Sequence, residues 1–313
     1  MVSRKLAVVA LTIVCLSLGL VASASSFSTG PWGQAVSIES FGAGAHPDFN
    51  TPTSLDGCPF VSPDGKAFFI ASDRPGGLGG LDIWVSTRAS VHDPWGAPVN
   101  LGAPVNSAAN DFCPTIGRDG HEFYFVSTRP GFCGSTANGD IYSTRFQGPG
   151  YRRVDPVQHL GCTVNSGWDE HSPFPVRDPG DGRVLYFSSA RPANMADTAG
   201  DHDIYVSDFV GGVYGAPALV PVINTTEFHE GQPNVRRDAL EIFFYSNRPG
   251  SQGNDIYSAI RASAHDQWGL PVNLGPAVNS AAAETRPSLS WDGSTLYFGT
   301  TREGTADVYV TTR

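Results

Sequence analysis

The chain has 313 residues and a formal charge of −10, from 30 Asp and Glu against 20 Lys and Arg. That balance argues against a nucleic-acid partner and against an anionic membrane surface. With 36 Gly and 24 Pro the chain turns often and has little room for long helices.

Residues 1–24 read as a signal peptide. Arg4 and Lys5 supply the charged start, Leu6 to Val21 is largely apolar, and Ala22-Ser23-Ala24 is a small-residue cleavage site. The apolar run is shorter than most membrane spans, and nothing later could span a bilayer. Export to the periplasm or the extracellular space, with cleavage near Ala24, is therefore expected. Removing Arg4 and Lys5 takes the charge from −10 to −12.

From residue 25 to 313 one unit recurs five times. It closes on Asp82-Ile83-Trp84, Asp140-Ile141-Tyr142, Asp203-Ile204-Tyr205, Asp255-Ile256-Tyr257 and Asp307-Val308-Tyr309, at spacings of 58, 63, 52 and 52 residues. A period of this length means one supersecondary unit, repeated so that each copy buries its apolar face on the next. In the first unit Ala67 to Ala71 follows the turn Ser62-Pro63-Asp64-Gly65. In the second, Glu122 to Val126 follows Arg118-Asp119-Gly120. Asp-Gly between apolar runs predicts a hairpin. The Asp-Ile-Tyr run gives a third strand, and Pro98 to Leu101 or Pro271 to Leu274 a fourth. Four-stranded units repeated radially predict an all-β, five-bladed β-propeller, with units ending near 88, 145, 208, 260 and 313. The last unit stops after its third strand. Trp32-Gly33-Gln34-Ala35-Val36-Ser37-Ile38 matches Trp95 to Leu101 and Trp268 to Leu274, so an N-terminal strand is expected to close the ring.

Four cysteines follow the leader: Cys58, Cys113, Cys133 and Cys162. They allow three connectivities. Cys133 and Cys162 fall in loops on one face of the second blade. Cys58 and Cys113 hold equivalent positions on neighbouring blades. The expected pairs are Cys133–Cys162 and Cys58–Cys113, leaving no free thiol.

The run Ser62-Pro63-Asp64-Gly65-Lys66, then Phe68 to Gly77, then Asp82-Ile83-Trp84-Val85, recurs in all five units. It resembles the WD40-like repeat of the TolB propeller family over nearly the whole chain after the leader. The resemblance implies the propeller fold. It implies little about activity, because the family mixes periplasmic binding proteins, envelope modules and propellers attached to peptidases. No second domain here supplies a Ser-His-Asp set.

Three residues before each unit's Pro stands an acid: Asp56, Asp111, Glu170, Glu230 and Glu284. Before the Pro itself stand Cys58, Cys113, Ser172, Gln232 and Arg286. Strand alternation places the two sets on one side, so a ring of acids is expected at one mouth of the channel. The candidate ligand site is Asp56, Asp111, Phe112, Glu170, His171, Glu230, Gln232, Glu284 and Arg286, with acids present in every blade weighing toward architecture. Arg74, Arg129, Arg191, Arg248 and Arg302 are expected to pair with the Asp of Asp-Ile-Tyr. Asn50, Asn106, Asn165, Asn224 and Asn279 are expected to cap local turns. Asp201-His202-Asp203 and Asp169-Glu170-His171 mix carboxylate and imidazole without metal-ligand spacing. No cofactor is expected, with a calcium ion in the channel left open. The main expectation is a monomeric, non-catalytic binding or protein-interaction module for a protein or glycan. The alternative is a secreted glycoside hydrolase, whose acids would be Asp56, Asp111 and Glu170.

Overall fold

A computed structural model describes residues 30–42, 48–131, 133–134, 138–148, 150–178, 182–192 and 201–313. The predicted leader, and parts of the two loops at 130–139 and 191–201, lie outside the described residues. Five small antiparallel sheets form a five-bladed β-propeller. The first blade runs from the inner strand Asp56–Val61 through Ala67–Ser72 and Asp82–Thr87 to the outer strand Val99–Asn100. The later blades begin at Asp111–Ile116, Glu170–Asp178, Glu230–Val235 and Glu284–Leu289. The third blade departs from four strands. Its third strand, Asp203–Val210, pairs with both Val213–Tyr214 and Ala218–Leu219. Gly211 and Gly212 take positive φ at the intervening turn, as a tight hairpin requires. The ring closes as expected. Val36 pairs with Val310 and Ser37 with Tyr309, so the N-terminal strand completes the last blade.

The second strand of each blade is apolar on both sides because it is covered on both sides. In Ala67–Ser72, Phe68 and Ile70 pack with Tyr297 and Val308 of the fifth blade, while Phe69 packs with Phe123 of the second. The same alternation builds an apolar cluster between every two neighbouring blades. Each fully buried Phe contributes about 1.5–3 kcal/mol by leaving water.

A polar clasp repeats beside this packing. Arg74, Arg129, Arg191, Arg248 and Arg302 pair with Asp56, Asp111, Glu170, Glu230 and Glu284 at 2.6, 2.7, 3.0, 3.0 and 3.0 Å. Each guanidinium also donates to a carbonyl of the preceding turn, for example Phe49 O, Val105 O and Val164 O. It lies over the ring of the closing triplet, as with Arg129 at 5.1 Å from Tyr142. The expected partner of the arginines is thus corrected. The Asp of the triplet turns outward to the outer strand, Asp82 to Asn100 at 2.9 Å and Asp255 to Asn273 at 2.7 Å. The asparagines are corrected as well, since they reach across the chain rather than capping their own turns. Asn106 accepts from Ile83 N–H and donates to Ile83 O, both at 2.9 Å. Asn165, Asn224 and Asn279 hold Ile141, Ile204 and Ile256 in the same way.

Candidate functional site at the channel mouth

Each inner strand carries a register shift at the same place, between Gly57 and Phe60 in the first blade and at the matching residues in the other four. Its first residue is left-handed: Cys58, Cys113, Ser172, Gln232 and Arg286 have φ of 47, 50, 50, 57 and 56°. These positions, with the Pro after each, line the central channel. The shift breaks simple alternation, and this corrects the expected acid ring. Asp56, Asp111, Glu170, Glu230 and Glu284 have no exposed surface and are absent from the cavity wall. They are consumed by the clasp and by the turn before it: Ser107 N–H and Oγ donate to Asp111, and Ser166 N–H and Oγ to Glu170. Burial pushes the Glu170 carboxyl up, against the hydrogen bonds of Ser166 and Ser189 and the charge of Arg191. Asp56, Asp111 and Glu170, the acids of the hydrolase alternative, therefore do not face the channel.

Gln232 and Arg286 do face it. The Arg286 N–H donates to Gln232 Oε1 at 2.7 Å. Cys58 and Cys113 meet at the wall with sulfurs 2.7 Å apart, but both are free thiols, which corrects the expected second disulfide. Both sulfurs face Arg286, a half-buried cation whose Nε has no hydrogen-bond partner among the described residues. Burial alone would raise the Cys113 thiol, but the Cys58 hydrogen bond and the Arg286 and His171 charges bring it down to about 6. Cys58 is pushed up by burial and keeps its proton. The other pair is bonded as expected: Cys133–Cys162 has an S–S distance of 2.09 Å and ties two loops of this face together.

Above the cavity, where the inner strands begin, the blades are not alike. The position just before the left-handed residue is Gly57, Phe112, His171, Gly231 and Thr285. Phe112 meets His171 edge-on at 5.4 Å. A Cβ on Gly139 would stand 3.1 Å from the His171 ring, so glycine there makes room for the imidazole. The His171 ring lies 5.1 Å from that of His202, which lies 6.3 Å from that of His229. A carboxylate stands at each end of the row: Asp169 3.8 Å from His171 Nε2, and Asp201 3.0 Å from His229 Nε2. His229 Nδ1 accepts the His202 N–H at 3.3 Å, so its proton sits on Nε2 toward Asp201. His202 Nε2 is buried with no hydrogen-bond partner. Burial, with His171 nearby, lowers its pKa to about 4, so this imidazole is neutral across the physiological range. The nearby His171 ring, with the hydrogen bond from Gly139 N–H, holds Asp169 below the usual carboxylate range. Trp168, beside Asp169, is 38 % exposed. Among the described residues no three His, Cys, Asp or Glu converge as metal ligands.

Of the predicted site residues, the structure joins Phe112 with His171 and Gln232 with Arg286, and buries the five acids. His202, His229, Asp169 and Asp201 were not among the predicted site residues. Their signal is a departure from the repeat. His202 stands where other blades have Leu81, Gly139, Asn254 and Ala306, and His229 where others have Leu55, Asn110, Asp169 and Ala283.

No family model matches the chain, and no curated protein matches it. Solved structures do. A thermostable family-43 glycoside hydrolase is 14 % identical with a TM-score of 0.55, covering 83 % of this chain and 89 % of that one. An endo-arabinase from Bacteroides thetaiotaomicron is 13 % identical with a TM-score of 0.54, covering 90 % and 97 %. A protein from Agrobacterium tumefaciens assigned as TolB is 18 % identical with a TM-score of 0.50, covering 87 % and 79 %. Further similar structures are described as arabinofuranosidases. At these identities the likeness is one of fold. The similar structures are mostly sugar hydrolases, which runs against the expectation of a non-catalytic module. What this chain is similar to is a group of β-propellers dominated by glycoside hydrolases, with a TolB-type propeller among them.

Proposed function

We propose that the chain is an exported glycoside hydrolase whose reaction centre is the Asp169–His171–His202–His229–Asp201 row, not the acids of the inner strands. The observation that carries this reading is His202, a neutral imidazole with a buried, unpartnered Nε2 at the channel mouth. An orphaned buried nitrogen calls for a water or a substrate hydroxyl. Its low proton affinity keeps it available as a general base at neutral and mildly acidic pH. His229 cannot take that role, because both its nitrogens are committed.

In the reaction a water held by His202 attacks the anomeric carbon and gives its proton to Nε2. The glycosidic C–O bond breaks, and the leaving oxygen takes a proton from His171, whose ring Asp169 aims. A water proton then restores His171, and His202 releases its own to solvent. Trp168 offers a flat apolar face for a sugar ring beside the row. The export leader at residues 1–24, the Cys133–Cys162 bond and the WD40-like repeat accompany the same reading: a disulfide-braced scaffold carrying its site in loops and strand starts.

The test is turnover by the purified protein of arabinan, arabinoxylan, fructan and aryl glycosides, with and without a chelator. Hydrolysis of at least one is expected. His202→Gln should lower kcat by about 10²–10⁴-fold with the melting temperature nearly unchanged at neutral pH. Absence of turnover on every substrate, or a fully active His202→Gln protein, would overturn the proposal.

A further inference from the structure

The wall of the central channel holds a pair of cysteines that the histidine row does not use. Blades one and two are neighbours, so their left-handed residues, Cys58 and Cys113, meet with sulfurs 2.7 Å apart. Both are free. A disulfide needs about 2.05 Å, so bond formation asks the sulfurs to close by only roughly 0.7 Å. Ala71, Phe112 and Val126 pack behind the pair. In front of it lies the channel, which the two cysteines line with Ser172, Gln232 and Arg286.

Buried thiols in wholly apolar surroundings are inert fillers. These two are placed differently. Ser172 Oγ donates to Cys113 Sγ at 3.3 Å. The Arg286 guanidinium faces both sulfurs. Glycine beside the first cysteine leaves it room, since a Cβ on Gly57 would stand 2.9 Å from Arg286 Nη1. Hydrogen bonds and the nearby positive charge keep Cys113 a thiolate at neutral pH, while Cys58 keeps its proton. A nucleophilic sulfur thus stands against a protonated one, the arrangement of a reacting thiol and a resolving thiol. The free space in front is about 30 Å³, room for about two water-sized molecules. Arg286 Nε and Ser288 Oγ, both of residues lining that space, are buried without a hydrogen-bond partner among the described residues. Orphaned polar atoms beside so small a space call for a small polar ligand.

We infer that Cys113 and Cys58 form a dithiol that reduces hydrogen peroxide or a hydroperoxide of similar size, Cys113 as the nucleophile and Cys58 as the resolving thiol. Cys113 Sγ attacks one peroxide oxygen. The S–O bond forms, the O–O bond breaks, and the hydroxide released takes up the proton Cys113 had lost and leaves as water. Cys58 Sγ then attacks the sulfur of the Cys113 sulfenic acid. The S–S bond forms, the S–O bond breaks, and the departing oxygen takes the Cys58 proton to leave as a second water. Two thiols have then given two electrons to one peroxide. The reacting atoms are not those of the histidine row.

The test treats the purified chain with dithiothreitol, removes the reductant and adds hydrogen peroxide. Differential alkylation with peptide mapping follows Cys58 and Cys113 separately from the Cys133–Cys162 pair. One peroxide per chain should be consumed at this site and a Cys58–Cys113 bond should form, at least about 10-fold faster than free cysteine oxidises at neutral pH. Cys58→Ser should stop at a Cys113 sulfenic acid that dimedone traps. Cys113→Ser should leave Cys58 reduced, and Arg286→Gln should slow the reaction about 10-fold or more. All three variants should melt as the reduced parent does. Cumene hydroperoxide, too bulky for the space, should react at least about 10-fold slower than hydrogen peroxide. His202→Gln should oxidise as the parent does, which separates failure here from failure of the hydrolase reading. Oxidation no faster than that of free cysteine, a sulfenic acid on Cys58 instead of Cys113, or an unaffected Arg286→Gln protein would each overturn the inference. So would cumene hydroperoxide reacting as fast as hydrogen peroxide, or a Cys58–Cys113 bond that dithiothreitol leaves intact.

Discussion

At the scale of single residues, His202 couples acidity to stability. In the folded protein it takes its proton near pH 4, against 6.5 for the ordinary side chain. Between those values the unfolded chain binds more protons. This contribution is therefore complete above about pH 6.5 and is lost as the pH falls toward 4. The loss amounts to roughly 3 kcal/mol. The melting temperature of the parent should fall over that window, and His202→Gln should flatten that part of the curve. Identical slopes for the two proteins would refute the assignment. Single residues were also the least legible scale in the sequence. Asp169, His171, His202 and His229 come from two adjacent blades, and the hydrogen bonds from Glu230 N–H to His202 O and from His202 N–H to His229 Nδ1 across the blade gap bring the last two together. Spacing along the chain does not encode that gap. The acids misled for a related reason: one left-handed residue two places on, Cys58 after Asp56, turns the channel-facing side chain to the other side.

At the scale of elements, the clasp makes an independent prediction. Glu284 accepts from Ser280, Thr300 and Arg302, and Glu230 from Thr225, Ser246 and Arg248. Glu230→Gln and Glu284→Gln should each cost roughly 1–3 kcal/mol. Asp56→Asn, Asp111→Asn and Glu170→Gln should cost about the same, because all five acids do one job. Denaturant midpoints check this; a large loss confined to the first three blades would contradict it. Strands, turns and the repeat itself were readable, since Asp-Gly turns and aromatic runs act locally. The asparagine latches were not. Asn106 bonds Ile83, 23 residues earlier, and a residue type that favours turns gives no hint of so distant a partner.

At the scale of the whole molecule, the ring depends on Val36–Ser37, which covers the free edge of Asp307–Thr312. Gly33 N–H donates to Thr312 O at 2.8 Å and Thr311 Oγ1 to Gly33 O at 2.6 Å, and Trp32 lies 4.5 Å from the Arg313 guanidinium. Deleting residues 25–40 should expose that edge and cause aggregation or a large fall in melting temperature. Grafting Trp32–Ser40 after Arg313 through a short Gly-Ser linker should restore most of the loss, and failure of the graft to do so would argue against closure. Closure was legible because the orphan copy Trp32–Ile38 matched the outer strands of other blades. The same contact sets how the polymer behaves as a loop of string. With both ends held in one sheet, the backbone is a circle cut at an arbitrary point, and the order of blades around the axis outlasts the order of residues along the gene. Any turn between blades could serve as the start of the chain, and the two mouths would keep the same neighbours.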